Sequence, residues 1–305
     1  MDEQHRFRAH GLEFASAIAV PHAVVPSVAP PDIRIRLGAV PDRLPEPATA
    51  RGRAVVSREE VVIRSVRIGD YWIARGEELV VAPVPGRSLA DVASLLMGAA
   101  LGAALHQRGA LALHAGAVSR DGRAVLFLGR SGSGKSSSVA ALARRGFTIL
   151  DDNIAVLTEH GREVVVEPGV AELRLVNDAV YPSGCGEPAP FLRGLGKSRA
   201  AIQSHFQPSP VTLSAIYVMT PVAVATPAVR PMTRAEAFGA AQTHVFCRHL
   251  RSLEQERQMF PALARLVATV PFAELQRPLS TSDHGLVADV VEHDLRRLFG
   301  EPTRD

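Results

Sequence analysis

The sequence predicts an α/β fold with a small β-rich unit at its N-terminus and a helical part at its C-terminus. In the middle of the chain, an apolar strand (123–128), a glycine-rich loop and a helix (137–145) follow one another. Residues 1–86 contain several short stretches that alternate polar and apolar residues, which is typical of half-buried strands. Most of the last third has the apolar spacing of helices. We therefore divide the chain into residues 1–86 and 87–305.

The N-terminal unit is predicted to be a small antiparallel sheet. Its strands are expected at 32–37, 61–63, 66–68, 71–73 and 78–82, with a proline-rich loop at 41–47. The unit contains no residues with an obvious chemical role, so a scaffold role and a role in docking a substrate both remain open.

A helix is expected to follow over residues 89–107. Ser88 is suited to cap its start, and Gly109 to end it. The apolar stretch 92–105 is short for a membrane-spanning helix and rich in alanine and glycine, so we expect a buried helix.

Composition excludes several classes of protein. Of the 305 residues 47% are hydrophobic and 21% charged, as in a folded globular protein. The net charge of +3 and the lack of a dense Lys/Arg run argue against nucleic-acid binding. Cys185 and Cys247 have no metal-binding or disulfide spacing, and the charged N-terminus does not resemble a signal peptide. We expect a cytoplasmic protein that binds neither nucleic acid nor membrane.

The glycine-rich loop fits G-x-x-x-x-G-K-[ST], the Walker A motif or P-loop. Glycines allow several backbone N–H groups to point at one anion, and the following helix adds positive charge at its N-terminus. Lys135 would reach the outer phosphates, and the Ser136 hydroxyl would bind Mg²⁺. The predicted nucleotide-binding residues are Gly129, Arg130, Ser131, Gly132, Ser133, Gly134, Lys135, Ser136 and Ser137.

Two further features lie close to the loop in sequence. Asp151 and Asp152 end an apolar strand, where P-loop proteins place carboxylates that support Mg²⁺. Successive strand residues face opposite sides, so the two aspartates would have different roles. His114 lies in an apolar strand (110–118) that a turn at 119–122 pairs with the strand before the loop. The alternatives are a strand-end turn for the aspartates and a core position for the histidine.

The remainder of the chain is predicted to be irregular in its middle and helical at its end. Strands are expected at 153–157, 163–167, 172–175 and 211–219, and a basic loop at 193–199 lies within an irregular stretch. Lys197 or Arg199 in that loop would neutralise transferred charge, or the loop would simply be solvated. A linker at 221–231 and helices at 233–238, 240–250, 254–269 and 288–299 complete the prediction. The histidines 244, 249, 284 and 293 show no shared metal-binding spacing.

The residues from about 95 to 160 resemble the catalytic core of the HPr kinase/phosphorylase family. The resemblance rests on Leu113-His114-Ala115, the turn, the P-loop, Gly146 and the aspartate pair. Leu95 to Gly102, followed by His106-Gln107-Arg108-Gly109, is closer to the HPr-kinase-like proteins found with peptide-tailoring genes, including lasso-peptide kinases. The resemblance implies a P-loop kinase core similar to HPr kinase and phosphoenolpyruvate carboxykinase.

The resemblance also implies roles for individual residues. ATP and Mg²⁺ would be the cofactors, with Ser136, Asp152 and Asp151 near the metal. The catalytic residues would be Asp151, taking the acceptor proton, His114 beside the transferred phosphate, and Lys135. Which aspartate is the base stays open, because a one-residue shift along a strand exchanges its faces. Members of the family often form oligomers, although the sequence shows no interface.

Three functions remain as hypotheses. The first is an ATP- and Mg²⁺-dependent kinase acting on a hydroxyl, in particular a serine of a peptide or small protein. The second is a nucleotide-dependent switch or regulatory ATPase without a phosphoacceptor. The third is a small-molecule kinase. A structural protein with a degenerate loop is disfavoured, because Lys135, Ser136 and both aspartates are present.

Overall fold

Three β-sheets and six α-helices form the part of the chain that the computed structural model describes, namely residues 4–45, 47–176, 181–191, 196–279 and 284–299. The predicted mixed α/β fold is confirmed.

The first sheet contains eight strands from the N-terminal unit, in the order β1-β2-β3-β8-β7-β6-β5-β4. β3 is parallel to both β2 and β8, so the prediction of a purely antiparallel unit is wrong at these two pairs. Two parallel strands need a connection that returns the chain to the end where the first strand began. The residues between β2 and β3, and those between β3 and β8, are long enough to do this. The first two strands were not predicted, and 66–68 is a turn. The strands are β1 His5–Ala9, β2 Leu12–Ser16, β3 Ile33–Leu37, β4 Thr49–Arg51, β5 Ala54–Val56, β6 Glu60–Ile63, β7 Gly69–Ala74 and β8 Glu78–Pro83.

Two helices, α1 (Leu89–Leu95) and α2 (Leu101–Gln107), replace the single helix expected over 89–107. A π-helical turn at Leu96–Ala100 joins them, where Gly98 leaves the helical conformation. The Ser88 side chain accepts a hydrogen bond from the Ala90 N–H, as predicted for a cap. Leu89–Gln107 is long and apolar enough to be a membrane-span candidate, but 67% of its most apolar window is buried inside the protein. Its apolar residues share one core with the first sheet, as expected for a buried helix.

The second sheet contains the P-loop strand, β11. Its pairing order is β12-β10-β11-β18-β14-β13-β9, and β20 joins β18 with β19 at its outer side. A third, small sheet has the order β15-β17-β16. The strands are β9 Leu111–Leu113, β10 Ala115–Arg120, β11 Arg123–Leu128, β12 Thr148–Asp151, β13 Ala155–His160, β14 Glu163–Glu167, β15 Glu172–Val176, β16 Ala189–Phe191, β17 Lys197–Ala201, β18 Val211–Val222, β19 Ala228–Pro231 and β20 Phe272–Pro278.

Four strands of this sheet, β11, β12, β18 and β20, run in one direction and end at the same edge; β13 also runs this way but begins after β12 ends. β18 is parallel to β11 and to β20, and β12 points the same way because both β11 and β12 are antiparallel to β10. Their C-terminal ends therefore meet at one edge of the sheet. In α/β proteins, ligands bind at this edge, and the P-loop, the aspartate pair and the start of β10 all lie there.

The remaining helices partly match the prediction. α3 (Lys135–Ala143) follows the P-loop as expected, and α5 (Leu253–Thr269) is confirmed. α4 (Arg234–Thr243) ends early, so the helix expected over 240–250 is wrong, and only a 3₁₀ turn at Arg248–Leu250 remains. α6 (His284–Phe299) begins earlier than expected. β20 was missed, because one amphipathic strand between helices resembles a helical stretch over so few residues.

The tip of the β1–β2 hairpin packs against the second sheet. His10 and Gly11 both have positive φ angles (55° and 74°), as in a tight hairpin turn. The His10 N–H donates to the Pro168 carbonyl at 2.6 Å, and the His10 ring is buried. The N-terminal unit thus contacts the part of the chain behind the aspartate pair. The boundary at residue 86 remains a prediction.

Gly169 lies against this contact, and we expect Gly169→Ala to destabilise the protein. A Cβ at this position would overlap with the Asp151 carboxylate and lie 2.7 Å from the His10 ring. Overpacking of this kind costs about 1–3 kcal/mol, measurable by denaturant unfolding. Gly239→Ala is the matched control, because that glycine lies in α4 with open space around it, and alanine should stabilise the helix by up to about 1 kcal/mol. Equal effects of the two substitutions would contradict this packing.

Candidate active site

The P-loop has the backbone conformation that an anion-binding loop requires. Gly129, Gly132 and Gly134 adopt φ angles of 154°, 82° and 95°, which other residues rarely reach. The Lys135 amine donates to the carbonyls of Gly129 at 2.7 Å and Arg130 at 3.3 Å, so the side chain lies back along the loop. Burial lowers the pKa of Lys135 to about 8, against the opposing effect of Asp152, and Lys197 lowers it further. The Lys135 amine is therefore positioned beside the loop by two backbone carbonyls.

A cavity of about 430 Å³ opens in front of the loop. This size is suited to a ligand as large as a nucleotide. Its walls come from the P-loop, Asp152 and Asn153, the third sheet and the end of β20. The lining residues are His114, Ser131, Gly132, Gly134, Lys135, Ser136, Ser137, Asp152, Asn153, Arg174, Val176, Lys197, Arg277, Leu279 and His284.

Asp152 is the only carboxylate among these lining residues. Its Oδ2 accepts a hydrogen bond from the Arg174 N–H at 3.0 Å, whereas its buried Oδ1 has no hydrogen-bond partner among the described residues. Burial raises the pKa of Asp152 to about 7, while the Arg174 N–H and the neighbouring Ser136 hydroxyl oppose that rise. A carboxylate with a pKa near neutrality and one free oxygen is suited to accept a proton or a cation.

Asp151 points away from the cavity. Its Oδ1 accepts hydrogen bonds from the N–H groups of Asn153 and Ile154, both at 2.6 Å, and its Oδ2 lies 3.4 Å from the Val170 N–H and 3.9 Å from His10 Nε2. These contacts fix the turn between β12 and β13. The structure therefore does not bring Asp151, the predicted base and metal ligand, to the cavity, whereas Asp152 lines it. The two side chains do face opposite directions, as the strand pattern predicted.

His114 lies at the junction of β9 and β10 and faces the cavity. The backbone N–H of His114 donates to the His244 carbonyl at 2.7 Å, which fixes the position of the β9–β10 junction. Burial lowers the pKa of the His114 imidazole to about 4, and Lys135 lowers it further. The ring is therefore neutral at physiological pH and can donate or accept a hydrogen bond. The prediction that His114 approaches the phosphate site agrees with this position, although its catalytic role remains a prediction.

Arg277 was not predicted as a site residue, yet it contacts the P-loop and lines the cavity. It lies at the end of β20, where its Nε donates to the Ser133 carbonyl at 2.6 Å and a terminal nitrogen lies 3.4 Å from the Gly132 carbonyl. The side chain is only 8% exposed. In the sequence, Arg277 stands next to a proline at the end of a short stretch of alternating apolar residues. This would have indicated a strand-end residue only if β20 had been recognised as a strand. His284, at the start of α6, is a second unpredicted lining residue.

The other predicted site residues divide into two groups. Ser131, Ser136 and Ser137 line the cavity, whereas Ser133 is buried under the loop. Lys197 and Arg199 lie in strand β17, so the prediction of an irregular basic loop is wrong at these residues. Lys197 lines the cavity, whereas Arg199 donates to the Ser94 hydroxyl at 2.6 Å. Residues 193–195 lie outside the described residues.

The residues present fit a magnesium ion. Mg²⁺ takes oxygen ligands, usually one or two carboxylates together with substrate phosphates and water. The Asp152 Oδ1, buried without a partner close to the Ser136 hydroxyl, is such an oxygen. Within the described ranges no group of three or more His, Cys, Asp or Glu side chains could hold a metal ion by itself, so the phosphates would have to complete the coordination.

Comparison with known proteins gives structural likenesses, and the one described below is distant. No protein-family model matches the chain, and no protein of curated function matches it. The solved structure of the HPr(Ser) kinase/phosphatase from Coxiella burnetii is similar over 62% of this chain and 93% of that one, with 12% sequence identity and a TM-score of 0.34. At this level of similarity, the function has to be inferred from the geometry of the cavity itself.

We expect Asp151 and Asp152 to have opposite effects on stability. The raised pKa of Asp152 means that its ionised form is disfavoured in the folded protein, a cost that is absent below about pH 4 and complete above about pH 7. Asp152→Asn should therefore stabilise the nucleotide-free protein in EDTA, by up to about 4 kcal/mol at about pH 8 and by less at about pH 5. Denaturant unfolding at the two pH values measures this.

Asp151→Ala should instead destabilise by about 2–4 kcal/mol at both pH values, because two buried N–H groups lose their acceptor. Destabilisation by Asp152→Asn at about pH 8, or no effect of Asp151→Ala, would show that the two environments have been exchanged.

We expect Arg277→Gln to weaken nucleotide binding without abolishing it. The substitution removes the contacts to the loop carbonyls. The ligand must then order the loop itself, and this ordering reduces the binding free energy. The Kd for ADP should rise about 5- to 10-fold, as measured by isothermal titration calorimetry. Arg144→Gln, an exposed change at the end of α3 away from the cavity, should leave the Kd within about twofold. An unchanged Kd in the Arg277 variant would mean that the contact does not organise the loop.

Proposed function

We propose that the protein is an ATP- and Mg²⁺-dependent kinase that transfers the γ-phosphoryl group to a hydroxyl, in particular the serine hydroxyl of a peptide or small protein. One observation carries the proposal. Lys135, Ser136, Asp152 and His114 line a single cavity around a loop with the conformation of a phosphate cradle. Each is a residue type that phosphoryl transfer uses, and none is needed there to build the core.

The transfer depends on positioning and charge neutralisation. The loop N–H groups and the start of α3 would bind the phosphates. Lys135 would exchange its contacts with the loop carbonyls for phosphate oxygens, and Lys197 and Arg174 add positive charge on the opposite wall. Val176 and Leu279 are exposed apolar side chains of the same cavity, where a base could pack.

Asp152 would orient the acceptor hydroxyl and receive its proton. It is the lining carboxylate, and burial has moved its pKa to about 7, into the range that suits a general base. His114, neutral at physiological pH, would contact the transferred group by a hydrogen bond. Asp151 supports these residues by holding the turn from which Asp152 projects.

Mg²⁺ would be held by the Ser136 hydroxyl and phosphate oxygens, with Asp152 accepting a hydrogen bond from a water on the ion, so that the carboxylate stays available as the base. When bound, it supplies neutralisation of the phosphate charge. Both cysteines are free thiols, which suits work in a reducing cytoplasm. The nature of the acceptor, a lasso-peptide-type substrate included, and any homo-oligomer are parts of this proposal rather than observations.

The alternatives predict different products. A regulatory ATPase would release phosphate and leave every other protein unmodified, and a small-molecule kinase would modify a metabolite. Incubation with ATP and candidate acceptors, followed by mass spectrometry of peptides and metabolites, separates the three.

We expect Lys135→Ala to lower phosphoryl transfer at least about 100-fold, mainly through loss of nucleotide binding. Asp152→Asn should lower transfer about 10²- to 10⁴-fold while ADP binding in EDTA stays within a few-fold, because the lost group acts on the acceptor. The readouts are transfer of labelled phosphate and calorimetric ADP binding.

Asp121→Asn is the matched control, since this carboxylate lies exposed at the β10–β11 turn. It should retain full activity. Transfer that survives in both the Lys135 and the Asp152 variants would refute the proposed function.

A further inference from the structure

A second cavity lies on the other side of His114. It measures about 610 Å³ and opens to solvent between β4 and the segment that follows α4. The lining residues are Arg51, His114, Val245, Phe246, Cys247, Arg248, His249 and Glu256. The volume is that of a site for a short peptide segment rather than for a water or an ion.

His114 is the shared wall of the two cavities. Its side chain lines both, and its ring lies 6.0 Å from the Phe246 ring, centroid to centroid. The Phe246 N–H donates to the Ala112 carbonyl at 2.9 Å, which ties this wall to β9. A group bound in the second cavity and extended past His114 would therefore reach the phosphate side of the protein.

The lining of the second cavity carries a net positive charge, from two arginines and one carboxylate. Arg51 and Arg248 are both exposed, and no carboxylate in the described part of the chain lies within ion-pair distance of either guanidinium. The lining carboxylate, Glu256, interacts with the buried Arg251, which lies outside the lining. His249 adds a donor, and burial together with Arg51 lowers its pKa, so it is neutral at physiological pH.

We propose that this cavity is the acceptor site, and that it takes a peptide segment with a carboxylate side chain next to the serine that is phosphorylated. Guanidinium groups bind carboxylates through paired hydrogen bonds. Val245 and Phe246 are buried in the core and form the floor beneath the two arginines. This inference rests on the proposed kinase function and deepens it.

The transfer itself is balanced within this arrangement. The bond between the γ-phosphorus and the bridging oxygen breaks, a bond from the serine oxygen to that phosphorus forms, ADP leaves, and the serine proton passes to Asp152. The second cavity contributes orientation of the acceptor and no further reactant.

Binding of three synthetic peptides tests the inference. Each carries a neutral dye, blocked ends and one serine, flanked by glutamate, by glutamine or by lysine. Fluorescence anisotropy with the full chain should give a Kd for the glutamate peptide at least about fivefold lower than for the glutamine peptide, with the lysine peptide weakest. Arg51→Gln and Arg248→Gln should each reduce the glutamate preference to within about twofold. Arg257→Gln removes an exposed arginine of α5 that does not line the cavity, and should keep the preference.

Several results would overturn the inference: no binding of any peptide, equal affinity for the glutamate and glutamine peptides, or the same loss in Arg257→Gln as in Arg248→Gln. The outcome is separable from that of the kinase proposal. Lys135→Ala should lose ADP binding yet keep the glutamate preference, whereas a wild-type protein that fails to bind ADP but keeps the preference would remove the kinase assignment alone.

Discussion

The hydrogen bonds from the Asn153 and Ile154 N–H groups to the Asp151 carboxylate are the constraint on which the site depends. They turn the chain between β12 and β13, so that the segment 148–157 stays paired with 111–120 on both sides of the turn. A strand alone would place neighbouring side chains on opposite faces. The turn between β12 and β13 directs the Asp152 side chain into the cavity, whereas the buried Asp151 carboxylate is bonded to backbone N–H groups. One aspartate thus has a structural role that makes a chemical role available to the other.

The strand directions in the second sheet explain why residues far apart in sequence lie close together in the structure. Because β11, β12, β18 and β20 share one direction, their ends collect the P-loop, the aspartate pair and Arg277 at a single edge. The antiparallel β10 starts at that edge, which brings in His114. The same histidine also faces the second cavity. Both proposals therefore follow from a single topological arrangement, with nucleotide chemistry on one side of the histidine and recognition of the acceptor on the other.

Local patterns were sufficient to predict the strand, loop and helix around Lys135 and the place of the aspartate pair at the end of a strand. They could not decide between Asp151 and Asp152, because that depends on which backbone N–H groups each oxygen meets after the chain has turned. Arg277 was missed for a different reason: β20 lies between α5 and α6, and its apolar spacing is too short to separate a strand from a helix. The parallel placement of β3 depends on long-range pairing, which local propensity does not determine. The second cavity combines residues from β4, the β9–β10 junction, the segment after α4 and α5, and no single stretch of sequence shows it.

The resting position of Lys135 has a consequence for selectivity. Since its amine already contacts two carbonyls of the loop, an incoming anion gains little from the mere number of hydrogen bonds. What it can add is charge, because a phosphate oxygen attracts an ammonium group more strongly than a peptide carbonyl does. The loop carbonyls thus compete with a bound anion for Lys135. A ligand with several adjoining negative charges, such as a triphosphate, would displace these contacts far better than a lone sulfate or carboxylate.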